Sequence, residues 1–382
     1  MEPGRDLITC APMTGTKPIW VTDPAVLERH LSSAPERVGL DTEFIRERTY
    51  WPQLALVQLA IGEDILLLDP LAPGITDALR PLLLDSSVTK VMHSAGEDLV
   101  AFHHACGAVP APLFDTQLAA AFAGIGAGMG YQRLVSELLG VDLPKGQTRS
   151  DWLRRPLSPA QLEYAADDVV HLAALHGQLA ERLQDGERRA WFEEDCARLV
   201  AAAGNGEERW PHLSFRASQF LDEDSRVRLL RLLRWREQHA RDRDRPRSWI
   251  LDNELATDLA RQPPATPQAL QDTLDARPKA PRKLGPQIWK AMQTPLADEG
   301  QAPPAPSAEA DRRVLRQLQD AVAARSAELG LSDGLLASRR RLEQLLETGQ
   351  WPDSLAGWRR RQLEPVLAPL LPKPLPAAGA TV

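Results

Sequence analysis

The chain has 382 residues, 43% apolar and 25% charged, with a net charge of −7 at neutral pH. This is an ordinary globular composition with room for two or three cored domains, and no apolar run approaches the ~20 residues of a membrane-spanning helix. The charge is uneven: residues 1–204 carry 17 basic and 28 acidic side chains, residues 205–382 carry 28 and 24, so an acidic front half precedes a mildly basic rear half that is either a phosphate-binding surface or a solvated one.

Residues 1–19 lack the basic start and apolar core of a signal peptide and read as a disordered lead. Asp23 and Pro24 mark the start of a short helix reaching Ser32. Residues 38–44, VGLDTEF, then alternate apolar positions around two acids, Asp41 and Glu43, as in a half-buried strand. Side chains two apart on a strand share a face, so both carboxylates point the same way. Partial burial makes their repulsion costly, and a divalent cation taking oxygen ligands would relieve it. Alone, two solvated acids at a strand end also account for the stretch.

Further strands are expected at 54–60 and 65–68, within hairpin reach, and at 88–93 and 112–115. Helices are expected at 74–84, from 94 onward, at 116–123, at 131–139, and as one long element from 158 to about 183. Three meandering strands followed by strand–helix alternation predict a mixed sheet flanked by helices. Composition changes near 204–206, and helical spacing then dominates to 292. QAPPAPS at 301–307 is a linker, 314–370 a second small helical unit, and the rest a Pro/Ala tail. The chain thus divides into a lead (1–19), an α/β domain (20–204), a helical domain (205–295), a linker (296–310), a second helical domain (311–370) and a disordered tail (371–382).

Two later helix starts carry acids. Ser94 with Glu97 fits a capping box, which places Asp98 in a first turn, as a partner of the helix dipole or as a metal ligand. Ser158, Pro159 and Gln161 mark another start, and Tyr164 and Asp168 lie one turn apart on one face of that helix. Asp167 is rotated about 100° away. A phenol one turn from a carboxylate can share a water with a metal held there. The alternative is a tyrosine half-packed into the core beside a surface acid.

Together, Asp41-x-Glu43, Asp98 and Tyr164-x-x-x-Asp168 resemble the three exonuclease motifs of the DEDD superfamily, tyrosine branch. The surrounding text, VGLDTEFIRERTYWPQLALVQLA, KVMHSAGEDLVAF and SDWLRRPLSPAQLEYAADDVVHLAALH, is similar to ribonuclease D from Trp20 to about Val200. Residues 229–260 resemble the HRDC domain, a small helical nucleic-acid-binding module, and 311–370 are compatible with a divergent second copy. The resemblance implies an α/β ribonuclease H-like exonuclease domain followed by one or two small all-α HRDC-type domains.

It further implies a cytoplasmic, metal-dependent 3′–5′ exoribonuclease acting on structured RNA with a free 3′ end, notably tRNA precursors. Asp41, Glu43, Asp98 and Asp168 would organise two divalent ions, Mg²⁺ with Mn²⁺ as substitute, and Tyr164 would position the attacking water. No membrane partner is expected, and a monomer is. A DNA 3′–5′ exonuclease is the rival within the class. An inactive RNA-binding adaptor is the rival outside it, but that reading predicts a missing acid, and all four acids and the tyrosine are here.

Other residues pose smaller questions. Lys145, Arg149, Arg154 and Arg155 precede the Tyr164 helix, placed either to grip an RNA backbone or as solvated loop charges; Arg46 and Arg48 raise the same choice. The arginines at 241, 243, 245 and 247 are partly cancelled by Asp242 and Asp244. Trp235 and Trp249 read as core of the first helical module. His93, His103 and His104 lack partners at zinc-ligand spacing and read as structural. Cys10, Cys106 and Cys196, odd in number and widely spaced, fit a reducing compartment.

Overall fold

A computed structural model describes residues 17–32, 35–144, 150–184, 186–204, 208–302 and 310–371. Among them, six strands form one mixed sheet: β1 (Ile19–Val21), β2 (Arg37–Ile45), β3 (Gln53–Ile61), β4 (Asp64–Leu68), β5 (Thr89–Met92) and β6 (Leu113–Asp115), in the order β1-β4-β3-β2-β5-β6. The β2-β3-β4 meander is antiparallel, while β1, β5 and β6 join in parallel. This is the mixed sheet expected. The short edge strand β1 was not, because three residues are too few to show a period.

The helices of this layer are α1 (Pro24–Leu31), α2 (Ile75–Leu84), α3 (Gly96–Cys106), α4 (Thr116–Phe122), α5 (Tyr131–Leu139), α6 (Pro159–Val170), α7 (Leu172–Arg182) and α8 (Gly186–Gly204). The predicted single helix over 158–183 is therefore two, broken at His171. The phenol of Tyr131 sits at the break, donating to Asp167 O at 3.1 Å and accepting from His171 N at 3.3 Å. Backbone groups freed by the break are thus satisfied by a side chain. Gly39 on β2 lets α7 approach: a Cβ there would meet Ala60 at 3.2 Å and Leu172 at 3.3 Å. This places α7 over the face of β2 that carries Gly39, Asp41 and Glu43.

Two helical units follow. The first comprises α9 (Glu223–Arg243), α10 (Arg247–Ile250), α11 (Asn253–Arg261), α12 (Pro267–Asp275) and α13 (Gly285–Gln293) around its own core of Leu229, Leu232, Leu255, Leu274 and Ile288. The second comprises α14 (Ala310–Leu329), α15 (Asp333–Leu336), α16 (Arg339–Thr348) and α17 (Trp358–Leu367). Its core is continuous with that of the sheet layer. Trp358 is fully buried, stacked on Trp191 at 5.0 Å, and Arg359 pairs with Asp195 through two 2.6 Å bonds. Gly357 opens the turn before α17 with φ +66°, where a Cβ would collide with the Glu194 carboxylate.

The first unit meets the sheet layer through the loop after β2. Asp244 ends α9 in the left-handed conformation (φ +46°) and accepts from Tyr50 N at 2.9 Å and Trp51 N at 3.0 Å. Tyr50 donates to Glu237, and Arg241 and Arg247 each reach its oxygen at 3.0 Å. Arg241 and Arg247 therefore hold the loop. Trp235 is partly buried against the module core, as expected, but Trp249 is 54% exposed, with Arg245 at 5.9 Å from its ring. Its helix, α10, is a single turn, so helical spacing did not dictate which way the indole points. No helix among the described residues is long and apolar enough to cross a membrane.

Candidate active site

β2 supplies Asp41 and Glu43 from one face, both half-buried. The strand pairs with β3 from Gly39↔Ala60 to Glu43↔Leu56 and shifts register after Glu43. A bulge at that point re-aims the chain immediately beyond the second acid.

Asp98 comes from the first turn of α3 and is buried, accepting a hydrogen bond from the Thr42 hydroxyl on the other face of β2. The capping box expected from Ser94 and Glu97 does not form. Ser94 has φ +58° and α3 starts without a side-chain cap from its own sequence. Asp115, at the end of β6, does that work instead. It accepts from Ser94 N at 3.3 Å and Ala95 N at 2.9 Å, and caps α4 through Gln117 N and Leu118 N. One buried carboxylate thus fixes two helix starts. Glu97 turns outward and pairs with Arg46 at 2.8 Å.

Tyr164 and Asp168 come from α6, whose Ser158–Gln161 capping box forms as predicted. The phenol hydrogen-bonds Asp168, and its ring lies 6.1 Å from Trp152. The loop before α6 is anchored by Arg155. Its guanidinium holds Asp69 at 2.6 and 2.9 Å, Ala55 O at 2.7 Å and Trp152 O at 2.7 Å. Arg155, considered for gripping RNA, is thus committed to tying this loop to the sheet. Arg154 is exposed. Lys145 and Arg149 lie outside the described residues. His93 contacts Thr116 Oγ1 at 2.8 Å and Met129 O at 3.1 Å, a structural role.

The electrostatics show that the four acids converge. Burial, then repulsion from Asp98, Asp168 and Glu43, holds Asp41 well above the usual carboxylate range. Burial, then Asp168 and Asp98, pushes Glu43 up to about 8. Burial also lifts Asp98 to about 7 against the Thr42 bond, and Asp168 to about 7 against the Tyr164 bond. Burial and the neighbouring carboxylates drive the Tyr164 phenol above its ordinary range, so it is neutral. Four buried carboxylates, two of which raise the other two, form an oxygen-only donor set suited to hard divalent cations. No three acidic, histidine or cysteine side chains among the described residues are already closed around one ion-sized point. Asp98 and Asp168 are instead turned to Thr42 and Tyr164. The chemistry of the donors fits metal.

Thr42, Asp115 and Tyr131 were missed in the sequence. Thr42 stands between the two acids, which is a usable signal. Tyr131 acts on backbone positions far along the chain, and although Asp115 stands at the N-cap of α4, no local pattern marks its hold on Ser94 and Ala95.

A 3′–5′ exonuclease family model matches residues 18–184, and an HRDC domain model matches residues 225–292. The chain is 59% identical to a ribonuclease D from Xanthomonas oryzae pv. oryzae, over 93% of this chain and 98% of that one. It is 38% identical to a ribonuclease D from Pseudomonas paraeruginosa, over 90% and 95% respectively. The crystal structure of Escherichia coli RNase D, described as an exoribonuclease involved in structured RNA processing, superimposes with a TM-score of 0.78 at 29% identity, covering 92% of this chain and 98% of that one. Sheet order, convergent acids and whole-chain similarity agree: this chain belongs to the ribonuclease D family of metal-dependent 3′–5′ exoribonucleases.

Proposed function

We propose that this chain trims 3′ extensions from structured RNA, tRNA precursors among them, and that Asp41, Glu43, Asp98 and Asp168 hold two divalent ions, Mg²⁺ or Mn²⁺. The observation that carries the reading is the burial of four carboxylates, with Asp98 and Asp168 close enough to raise both Asp41 and Glu43, beside a neutral phenol. Two bound ions would supply the positive charge that neutralises the acids and the charge developing at phosphorus. The protein's own residues do the rest. Asp41 and Glu43 ride on a central strand and give a fixed frame, and Asp98 and Asp168 approach it from α3 and α6. Tyr164 orients the attacking water as a neutral hydrogen-bonding group and leaves the water's proton to another acceptor. A water oxygen bonds to the terminal phosphorus as the P–O3′ bond breaks. The products are a nucleoside 5′-monophosphate and an RNA shortened by one, with a new 3′ hydroxyl.

The division into lead, exonuclease domain, HRDC domain, linker, second HRDC-like unit and tail is part of the proposal, as is a monomeric enzyme in the cytoplasm. Cys106 and Cys196, buried free thiols, suit that compartment. Arg154, with Lys145 and Arg149, is proposed to meet the RNA backbone. The test is a side-by-side assay of a 3′-extended tRNA and single-stranded DNA with Mg²⁺ or Mn²⁺. Trimming of the RNA with slower attack on the DNA is expected; the reverse preference would favour a DNA exonuclease.

A further inference from the structure

β3 is apolar throughout its interior except for Gln58. The register sets Gln58 directly opposite Asp41 on β2 and Leu67 on β4. Directly opposed residues of an antiparallel pair share a face, with Cβ atoms roughly 4.5–5.5 Å apart. The neighbouring pair confirms the face: Gly39 and Ala60 look toward Leu172 at the start of α7. Gln58 is fully buried, and neither its Nε2 nor its Oε1 has a hydrogen-bond partner among the described residues.

A buried amide without partners costs free energy that a methionine or leucine of similar volume would not. Packing alone therefore does not call for glutamine here. Such a group is explained by a role in a second state of the site. The one ionisable side chain directly across the ladder is Asp41, the acid most crowded by the others. A glutamine side chain spans the distance between opposed Cβ positions without moving the backbone.

We propose that Gln58 is the positioning residue of Asp41: in the ion-loaded site its Nε2–H donates to the Asp41 carboxylate, directly or through one water, and fixes the plane in which that carboxylate meets the ions. This rests on the metal site described above. It would explain why a polar side chain is kept at the centre of an apolar strand. The amide compensates the negative charge of Asp41 on one side, leaving the remaining lone pairs for cations. Partners of this kind orient a metal ligand, and losing one costs about 10–100-fold in metal affinity or activity.

The experiment compares the full-length wild type with Gln58→Met and Gln58→Glu. Mn²⁺ binding is measured by calorimetry without RNA, unfolding temperature in EDTA, and kcat and KM on a single-stranded RNA oligonucleotide. Gln58→Met should keep or raise the metal-free unfolding temperature while weakening Mn²⁺ binding and kcat about 10–100-fold, with KM little changed. Gln58→Glu, isosteric but without the donor when ionised, should do no better. Wild-type Mn²⁺ affinity and kcat in Gln58→Met would overturn the proposal. So would losses that only follow a lowered unfolding temperature in both variants. If the wild type itself bound no Mn²⁺, the metal-site reading would fail instead, which separates the two outcomes.

Discussion

Thr42 and Asp98, 56 residues apart, are joined by a hydrogen bond from hydroxyl to carboxylate. Thr42 stands between Asp41 and Glu43 but faces away from them, so β2 organises the site from both of its sides. Thr42→Val keeps the branched shape and removes the donor. Asp98, already only 9% exposed, would lose a stabilising bond. A loss of about 1–3 kcal/mol in stability is expected, together with a higher divalent-ion requirement at neutral pH. Thr42→Ser should preserve both. Chemical denaturation and an Mn²⁺ titration of activity check the pair.

The raised carboxylates make stability depend on pH. Glu43 is held at about 8, and Asp98 and Asp168 at about 7, against ordinary values near 4. Between those limits the folded metal-free protein binds more protons than the unfolded chain. Its stability therefore falls as pH rises from about 4.5 to about 8. Divalent ions displace these protons, so the stabilisation by Mn²⁺ should grow over the same window. Unfolding temperatures measured from pH 5 to 8.5, in EDTA and in Mn²⁺, should diverge with pH. Parallel curves would contradict the assignment.

Tyr164 is neutral through the whole working range, since its neighbours raise it above an ordinary phenol. Tyr164→Phe keeps the packing against Trp152 and loses only the hydroxyl. A fall in kcat of roughly 100-fold is expected from a misplaced water, with RNA affinity and unfolding temperature close to wild type. A comparable loss of RNA affinity would mean that the phenol binds substrate instead.

Asp195 and Arg359 form a buried pair between α8 and α17, each 6% exposed in its side chain. Asp195→Ala leaves the guanidinium buried and uncompensated, which costs about 3–5 kcal/mol. The double variant Asp195→Ala, Arg359→Met should recover much of that stability. Exonuclease turnover below the lowered unfolding temperature should stay near wild type, because neither residue is among the groups that shift the four acids. Denaturation curves of the single and double variants test this.

The strand and the helices that carry the three acidic motifs were legible in the sequence from local spacing. Asp41 and Glu43 follow a period of two, and Tyr164 and Asp168 are one helical turn apart behind a capping box that forms. Features set by distant partners were not legible. Arg155 is held by Asp69, 86 residues earlier. Asp115 caps a helix through Ala95, 20 residues before it, displacing the local Ser94–Glu97 alternative. The break at His171 depends on Tyr131, from a different helix. Merging of the last helical unit with the exonuclease core depends on Trp358 meeting Trp191, which helical spacing within 311–370 does not reveal.

These four acids and Tyr164 are proposed to form one metal-dependent exonuclease site. Its most direct measurement is the release of nucleoside 5′-monophosphates from a 3′-extended tRNA by wild type and Asp41→Asn, with and without Mn²⁺, alongside RNA binding. Stepwise 3′ trimming by the wild type is expected only when Mn²⁺ is present, and RNA binding without trimming by Asp41→Asn. An intact 3′ extension after incubation with wild type and Mn²⁺, or trimming by Asp41→Asn at the wild-type rate, would contradict it.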